Sequence, residues 1–363
     1  MAVKWENNIM GFVPQADWLS IDFNPTRPND PADQLFGDLK TDNITAQWES
    51  IAAANQIPVM AQFHSFDVET QTTTRVPVDT HNIEKGLIKV KINQSERMRA
   101  ILRAGVQNES LYDYVMNDGM NLADQVITRT KVAKNELLAT GKVTIKENNL
   151  DLTVDYGVPA AQTAYSIDVG QGQDIDAQIQ AIIDDATNVG VVINGMVCSR
   201  KVLTKMRKND VLQTAINGNA GAGALVSMAA LEAHLATEFG INQIITNDLT
   251  YASTRTINAS GNVVQTTKRY FPDDKITFFA TANGNALGTG LWGDPPEVDI
   301  QQFQAVSASG VPPYVYVSQW AENDPTVLWT RASALFMPVL YNPNSLFISA
   351  VTETAEDTEE SGG

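Results

Sequence analysis

The 363-residue sequence holds one cysteine, Cys198, and three histidines, His64, His81 and His234. A single cysteine excludes an internal disulfide and any cysteine-built metal cage. It sits in the apolar run Val191–Ser199, which reads as a strand, so Cys198 is read as a buried structural thiol and not a nucleophile. The histidines show no metal-ligand spacing, and His234, in the helical stretch Leu225–Phe239, reads as a packing or surface residue. No apolar run approaches the roughly 20 residues that span a bilayer. The first residues lack the apolar centre of a secretion signal, so the expectation is a cytosolic protein. Bases are also scarce: 25 Lys and Arg face 42 Asp and Glu, for a net charge of -17. That balance opposes phosphate-backbone binding, which depends on Lys and Arg neutralising phosphates.

Catalytic and ligand motifs are missing as well. The Gly-rich stretch Asn217–Gly223 has no Gly-Lys-Ser/Thr ending and reads as a loop between helices, without a phosphate site. Asp174, Asp176, Asp184 and Asp185 lack the ligand series of a calcium loop and read as helix-terminal or surface acids. Ser166, Ser199 and Ser227 have no nucleophile-elbow context. The one basic cluster, Arg200, Lys201, Lys205, Arg207 and Lys208, reads as a solvated or intersubunit helix face. No cofactor and no enzymatic activity are expected.

What the sequence does contain is shape. Residues 1–41 read as extended and weakly folded, interrupted by Pro14, Pro25, Pro28 and Pro31, with Trp5, Phe12, Trp18 and Phe23 as spaced anchors; a clasp across another domain or subunit and an ordinary meandering N-terminus fit equally. Candidate strands follow at Asn43–Ser50 and Ile57–Phe66, and together with the Thr- and Val-rich Asp67–Thr80 they suggest a polar two-stranded flap leading into Lys89–Ile92. No proline occurs from Ser95 to Gly141, a helical run expected to break near Asp118-Gly119. Its apolar stripe is narrow (Leu122, Val126, Thr130, Leu137), with Arg129, Lys131, Lys134 and Glu136 on the opposite, solvated or interfacial face. Gly141 stands where a left-handed cap belongs. A hairpin, Lys142–Ile145 with Leu150–Val154, turns at Glu147–Asn149.

From Asp174 the pattern is mixed: a helix on Ile175, Ile179, Ile182 and Ala186, a strand at Gly190–Ile193, the basic helix, and a helix around Leu225–Phe239. A strand at Ile241–Ile245 and a hairpin of Tyr251–Ile257 with Val263–Thr267 come next. Strands are then expected at Lys275–Ala280, Tyr314–Ser318, Val327–Thr330, Ala334–Tyr341 and Leu346–Val351. The tail 352–363 carries five acids and no base and is expected to be disordered.

The order of these elements resembles a tailed-bacteriophage major capsid protein, and within that group the lambda-type capsid protein E family. The residues behind the resemblance are Ile57–Ala61 through Phe66-Asp67, Leu138–Lys142 with Val154–Pro159, Tyr270–Lys275, and Met337–Pro343 before Leu346–Ser349. The resemblance implies an α+β protein with the phage major-capsid (Johnson) fold. Residues 1–41 would be the N-terminal arm and 42–75 the extended β-hairpin loop. A peripheral domain, 76–165, would carry a spine helix at 95–141 and a β-hairpin at 142–155. The mixed α/β axial domain would be 166–351, its closing strands returning to the peripheral domain.

The implied function is a structural protein of the virion, self-assembling into pentamers and hexamers of an icosahedral shell around the double-stranded DNA of a tailed phage. Assembly would take place in the host bacterial cytoplasm. Implied intersubunit contacts are Trp48, Phe63, Phe66 and Arg75 on the loop, Arg129 and Lys134 on the helix, and Arg200 and Lys205 beyond it. Implied partners are further copies of the chain, a separate scaffold protein, a portal and a decoration protein, with packaged DNA enclosed without sequence-specific binding and no membrane. Some relatives of this fold cross-link the extended loop through a lysine, but none occurs between Thr41 and Glu84. No such bond is expected here. An encapsulin-like shell around other cargo, a tail-tube or connector subunit, and a cytosolic hydrolase with a split carboxylate site are the alternatives.

Overall fold

The computed structural model describes residues 30–51, 60–61, 78–96, 108–218, 223–257, 262–281, 286–299, 303–305, 314–324 and 326–354. In chain order the elements begin with α1 (Ala32–Leu35), β1 (Phe36–Lys40), β2 (Thr45–Ile51), β3 (Val78–Glu84) and β4 (Gly86–Gln94). The long helix α2 (Asn108–Thr140) leads into β5 (Lys142–Glu147), β6 (Leu150–Asp155) and β7 (Tyr165–Asp168). Then come α3 (Ile175–Asn188), β8 (Gly195–Cys198), α4 (Arg200–Met206), α5 (Asp210–Asn217), α6 (Met228–Phe239) and β9 (Gln243–Thr246). The remaining strands are β10 (Thr250–Ile257), β11 (Val263–Arg269), β12 (Lys275–Phe279), β13 (Gly288–Gly293), β14 (Phe303–Ala305), β15 (Tyr316–Asn323), β16 (Thr326–Leu340) and β17 (Leu346–Thr352).

The chain divides into two compact units that do not follow contiguous sequence. The first takes residues up to Ala46, Asn82–Lys134 and Thr289–Val339. Its six-stranded sheet runs β1-β13-β16-β15-β14, with β4 also on β16. The 15-residue β16 extends about 50 Å and pairs with β15 over Thr326–Ser333 and with β4 over Leu328–Phe336. Sequence reading placed two strands here, split by the weakly apolar Arg331–Ser333. Hydrogen bonding along both edges carries the strand through that stretch, and Pro338 falls beyond both registers, where its missing N–H disrupts neither. A buried lysine also holds this unit. Lys85 donates to the Thr41 carbonyl at 2.8 Å and the Trp292 carbonyl at 2.9 Å, and burial holds its pKa below the ordinary lysine value.

The second unit takes Gln47–His81, Asn135–Gly288 and the chain from Leu340. Its five-stranded mixed sheet runs β7-β17-β12-β8-β9, parallel at both ends (β7 with β17, β8 with β9) and antiparallel between. Side chains of α3, α4, α5 and α6 close its core, with Ile179, Ile182, Leu203, Leu212, Leu231 and Leu235 all buried. The helices start on side-chain caps: Asp174, Ser199, Asn209 and Ser227 each accept a backbone N–H from the first turn. The strand expected at Gly190–Ile193 lies instead at Gly195–Cys198, because Gly190 (φ +79°) and Val191 close α3. Their N–H groups bond to the Thr187 and Ala186 carbonyls, a Schellman motif.

Two other expectations need correction. α2 runs unbroken through Asp118-Gly119; Gly119 is buried there, and a cost of about 1 kcal/mol for a helical glycine is outweighed by packing. Nor is its stripe narrow, since Ala123, Ile127, Ala133, Leu138 and Ala139 are buried beside Leu122, Val126, Thr130 and Leu137. The helix ends as expected, with Gly141 at φ +70° and its N–H on the Leu137 carbonyl at 2.8 Å. β5 and β6 form the expected hairpin, and Asn148 and Asn149 take the two positive-φ positions of its turn (50° and 67°).

The partner of β2 is β3. Of the expected strand Ile57–Phe66 only Met60 and Ala61 are described, neither of them in a strand, and the rest of that reading lies outside the described residues. So do residues 1–29 of the arm and 355–363 of the tail. The start of the tail is ordered: Thr352 ends β17, and Thr354 N donates to Asp168 Oδ1 at 3.1 Å.

Candidate assembly surface

The groups that could carry chemistry are occupied with structural tasks. Ser199 and Ser227 cap helices, and the Ser166 hydroxyl pairs with Thr352 across the parallel strands. Cys198 is buried in the central sheet, and burial, reinforced by the Asp248 charge, pushes its thiol pKa well up, away from a reactive thiolate. His234 Nε2 lies 2.9 Å from Asp176 Oδ2. Among the described residues no three His, Cys, Asp or Glu side chains converge as a metal site, and no helix is long and apolar enough to cross a membrane.

The residues expected at intersubunit contacts fall into different surroundings. Trp48 lies on β2, in the two-stranded ribbon. Phe63, Phe66 and Arg75 lie outside the described residues. Arg129 is half-buried on α2. Lys134 is not on an open face, which corrects the reading of that side of α2. It is 1 % exposed, with its ammonium 2.7 Å from Asp33 Oδ1, 2.9 Å from Asp38 Oδ1 and 3.2 Å from the Phe36 carbonyl. Burial lowers its pKa, and the two carboxylates more than reverse that, so the net shift is upward. The sequence could not show this, because Asp33 and Asp38 are about a hundred positions away.

Arg200 and Lys205 share α4 with Lys201. The charges on this helix are largely met within the chain: Lys201 pairs with Asp273 at 2.8 Å, Lys205 with Glu353 at 2.6 Å, and Arg200 stays exposed 3.9 Å from Asp248. The Lys201 hydrogen bond holds the Asp273 carboxyl below its ordinary pKa. A basic run in sequence is therefore mostly neutralised in the fold.

Sequence reading missed the apolar face of the β5–β6 hairpin. Register places Val143 opposite Val154, Ile145 opposite Leu152 and Glu147 opposite Leu150 on one face. On the other face Lys142 pairs with Asp155 at 2.8 Å and Lys146 with Asp151 at 3.8 Å. Val143 and Val154 are buried at the base, whereas Leu152 is 46 % and Leu150 60 % exposed toward the turn. This face therefore stays apolar past the cover that the chain gives it, while the opposite face carries paired charges. The alternation of Leu150, Leu152 and Val154 was the available signal, but alternation alone does not say where cover ends.

Comparison with known proteins identifies the family. The family described as phage major capsid protein E matches residues 25–351. No curated protein matches the chain. Among solved structures, the capsid asymmetric unit of cyanophage A-1(L) is similar at 12% identity over 91% of this chain and 95% of that one, with a TM-score of 0.51. A phage-related protein from Bordetella bronchiseptica RB50 (9% identity, 90% and 94% coverage, TM-score 0.49) and a chain from Mycobacterium phage Cain (13%, 95% and 99%, 0.47) are also similar. The match over residues 25–351 places this α+β chain in the phage major capsid protein E family, as a structural protein of the head shell.

Proposed function

We propose that this head protein forms pentamers and hexamers that close into an icosahedral shell around the double-stranded DNA of a tailed phage, assembled in the host cytoplasm. The family match over residues 25–351 carries this reading. Two-stranded ribbons with little cover of their own and the half-covered leucines of the β5–β6 hairpin support it, because a shell subunit must supply large surfaces to its neighbours. A net charge of -17 suits a wall that encloses DNA without adhering to it.

In this reading residues 42–75 form the loop that reaches a neighbouring subunit, with Trp48, Phe63, Phe66 and Arg75 as its contacts. Residues 76–165 make the peripheral part and 166–351 the axial part, and the closing strands return to the peripheral sheet. Arg129 and Arg200 contribute further contacts. A scaffold protein, a portal and a decoration protein are its partners, and contacts of the extended loop stay noncovalent.

Negative-stain electron microscopy of the purified chain, expressed alone and with a scaffold protein, tests the reading. Closed shells or hexameric capsomers are expected. Tubes or open rings would assign a tail or connector role, and persistent monomers would overturn the shell.

A further inference from the structure

The β10–β11 ribbon stands apart within its unit. It joins no other sheet among the described residues. Every residue of β11 is exposed, as are Thr250, Ala252, Ser253, Thr254 and Thr256 of β10. Its base is anchored by a Tyr251–Tyr270 ring contact at 5.0 Å and by Arg269, which pairs with Asp248 at 3.0 Å. Farther out, Val263 and Val264 are 61% and 49% exposed, in register with Ile257 and Thr256. A two-stranded ribbon without a packed face is at best marginally stable in water. This one nevertheless keeps β-favouring Thr and Val along both strands.

Its charge differs from that of the chain around it. Between Thr250 and Arg269 the ionisable side chains, tyrosine aside, are Arg255, Lys268 and Arg269, and all 42 acids of the protein lie elsewhere. An acid-free arm on a chain of net charge -17 is complementary to another copy of that chain. DNA, the other polyanion at hand, is the poorer fit. Phosphates offer nothing to the two exposed valines, and Arg269 already pairs within the chain.

We propose that the β10–β11 ribbon is a docking arm that lies on the acidic surface of a second copy of this chain, with Val264 covered there and Lys268, on the same face of β11, facing its carboxylates. This rests on the shell reading above.

A Thr266→Cys variant tests it, because Cys198 is buried and the new thiol, between Val264 and Lys268 on one face, is then the accessible one. In assembled particles free of nucleic acid, maleimide labelling of Cys at that position is expected to slow at least tenfold relative to dissociated subunits. A Val264→Ser/Lys268→Glu variant, checked for native fold by circular dichroism, is expected to lower particle yield at least tenfold. Equal labelling in particles and subunits would overturn the arm and leave the shell standing. Protection that arises only with DNA present would overturn it in favour of nucleic acid. Failure of the unaltered chain to form any particle would overturn the shell reading and the arm with it, a result seen before any label is added.

Discussion

Lys134 Nζ lies 2.7 Å from Asp33 Oδ1, tying the long helix to the segment that opens the described chain. Asp38, at 2.9 Å, completes a buried cation held by two carboxylates. Beside it Gly290 passes so close that a Cβ there would sit 3.0 Å from Lys134 Cε and 2.6 Å from Asp38 Oδ1. Removing the cation would leave two carboxylates facing each other with reduced solvation.

Lys134→Met is therefore expected to destabilise the protein by about 3 kcal/mol, read as a lower midpoint in urea. The raised pKa of Lys134 makes its contribution complete below the ordinary lysine value and lost as pH rises through the folded value. Urea titrations in the alkaline range should show that loss in the unaltered protein and not in the variant.

Gly195 lies beneath the Phe279 ring, where an added Cβ would come within 2.3 Å of it. Phe279 is itself fully buried. Gly195→Ala is expected to cost about 1–3 kcal/mol through overpacking, and Phe279→Leu in the same chain should recover part of it. Thermal unfolding of the unaltered protein and the two variants decides the matter: equal melting temperatures for the unaltered protein and Gly195→Ala would mean that the ring simply turns aside.

In the β5–β6 turn both central residues have positive φ, the geometry that favours Asn and Gly. Asn148→Ala is expected to cost about 1 kcal/mol, in line with the strain of a left-handed non-glycine residue, whereas Asn149→Gly should be neutral or mildly stabilising. Chemical denaturation of the two variants reads the difference in sign.

Leu150→Ser and Leu152→Ser remove apolar surface that the chain itself leaves partly open. Their effect on subunit stability should stay near 0.5 kcal/mol, as for exposed sites, while particle yield falls. A variant that melts as before but assembles poorly is the expected pairing by calorimetry and sedimentation. Unchanged assembly would remove this face from the set of contacts.

Asp168 anchors the start of the acidic tail. The Thr354 hydroxyl, then the Gly170 N–H and the Thr354 N–H, hold its carboxyl below the ordinary value. A depressed carboxylate contributes its stability above the unfolded pKa of about 3.9 and loses it as pH falls through the folded value. Amide exchange at Thr354 should stay slow at neutral pH and, corrected for intrinsic rate, accelerate in acid. Asp168→Asn should show fast exchange at both.

Much of this protein follows from local sequence. The absence of proline from 108 to 141 and the glycine after Thr140 determined the long helix α2 and its end, because both act through backbone geometry within a few residues. Asn148-Asn149 determined the hairpin turn in the same way, and the periodicity of Ile175, Ile179, Ile182 and Ala186 determined the buried face of α3. The order of these elements was enough to indicate the capsid family. Tertiary structure decided what depended on distant partners. It drew Lys134 into the interior beside Asp33 and Asp38, spent the bases of α4 on Asp248, Asp273 and Glu353, and joined two expected strands into β16 through pairing on both edges. It also decided where the apolar face of the β5–β6 hairpin runs out of cover. Burial and ion pairing are set by residues far apart in the chain, and no local pattern encodes which of them will meet.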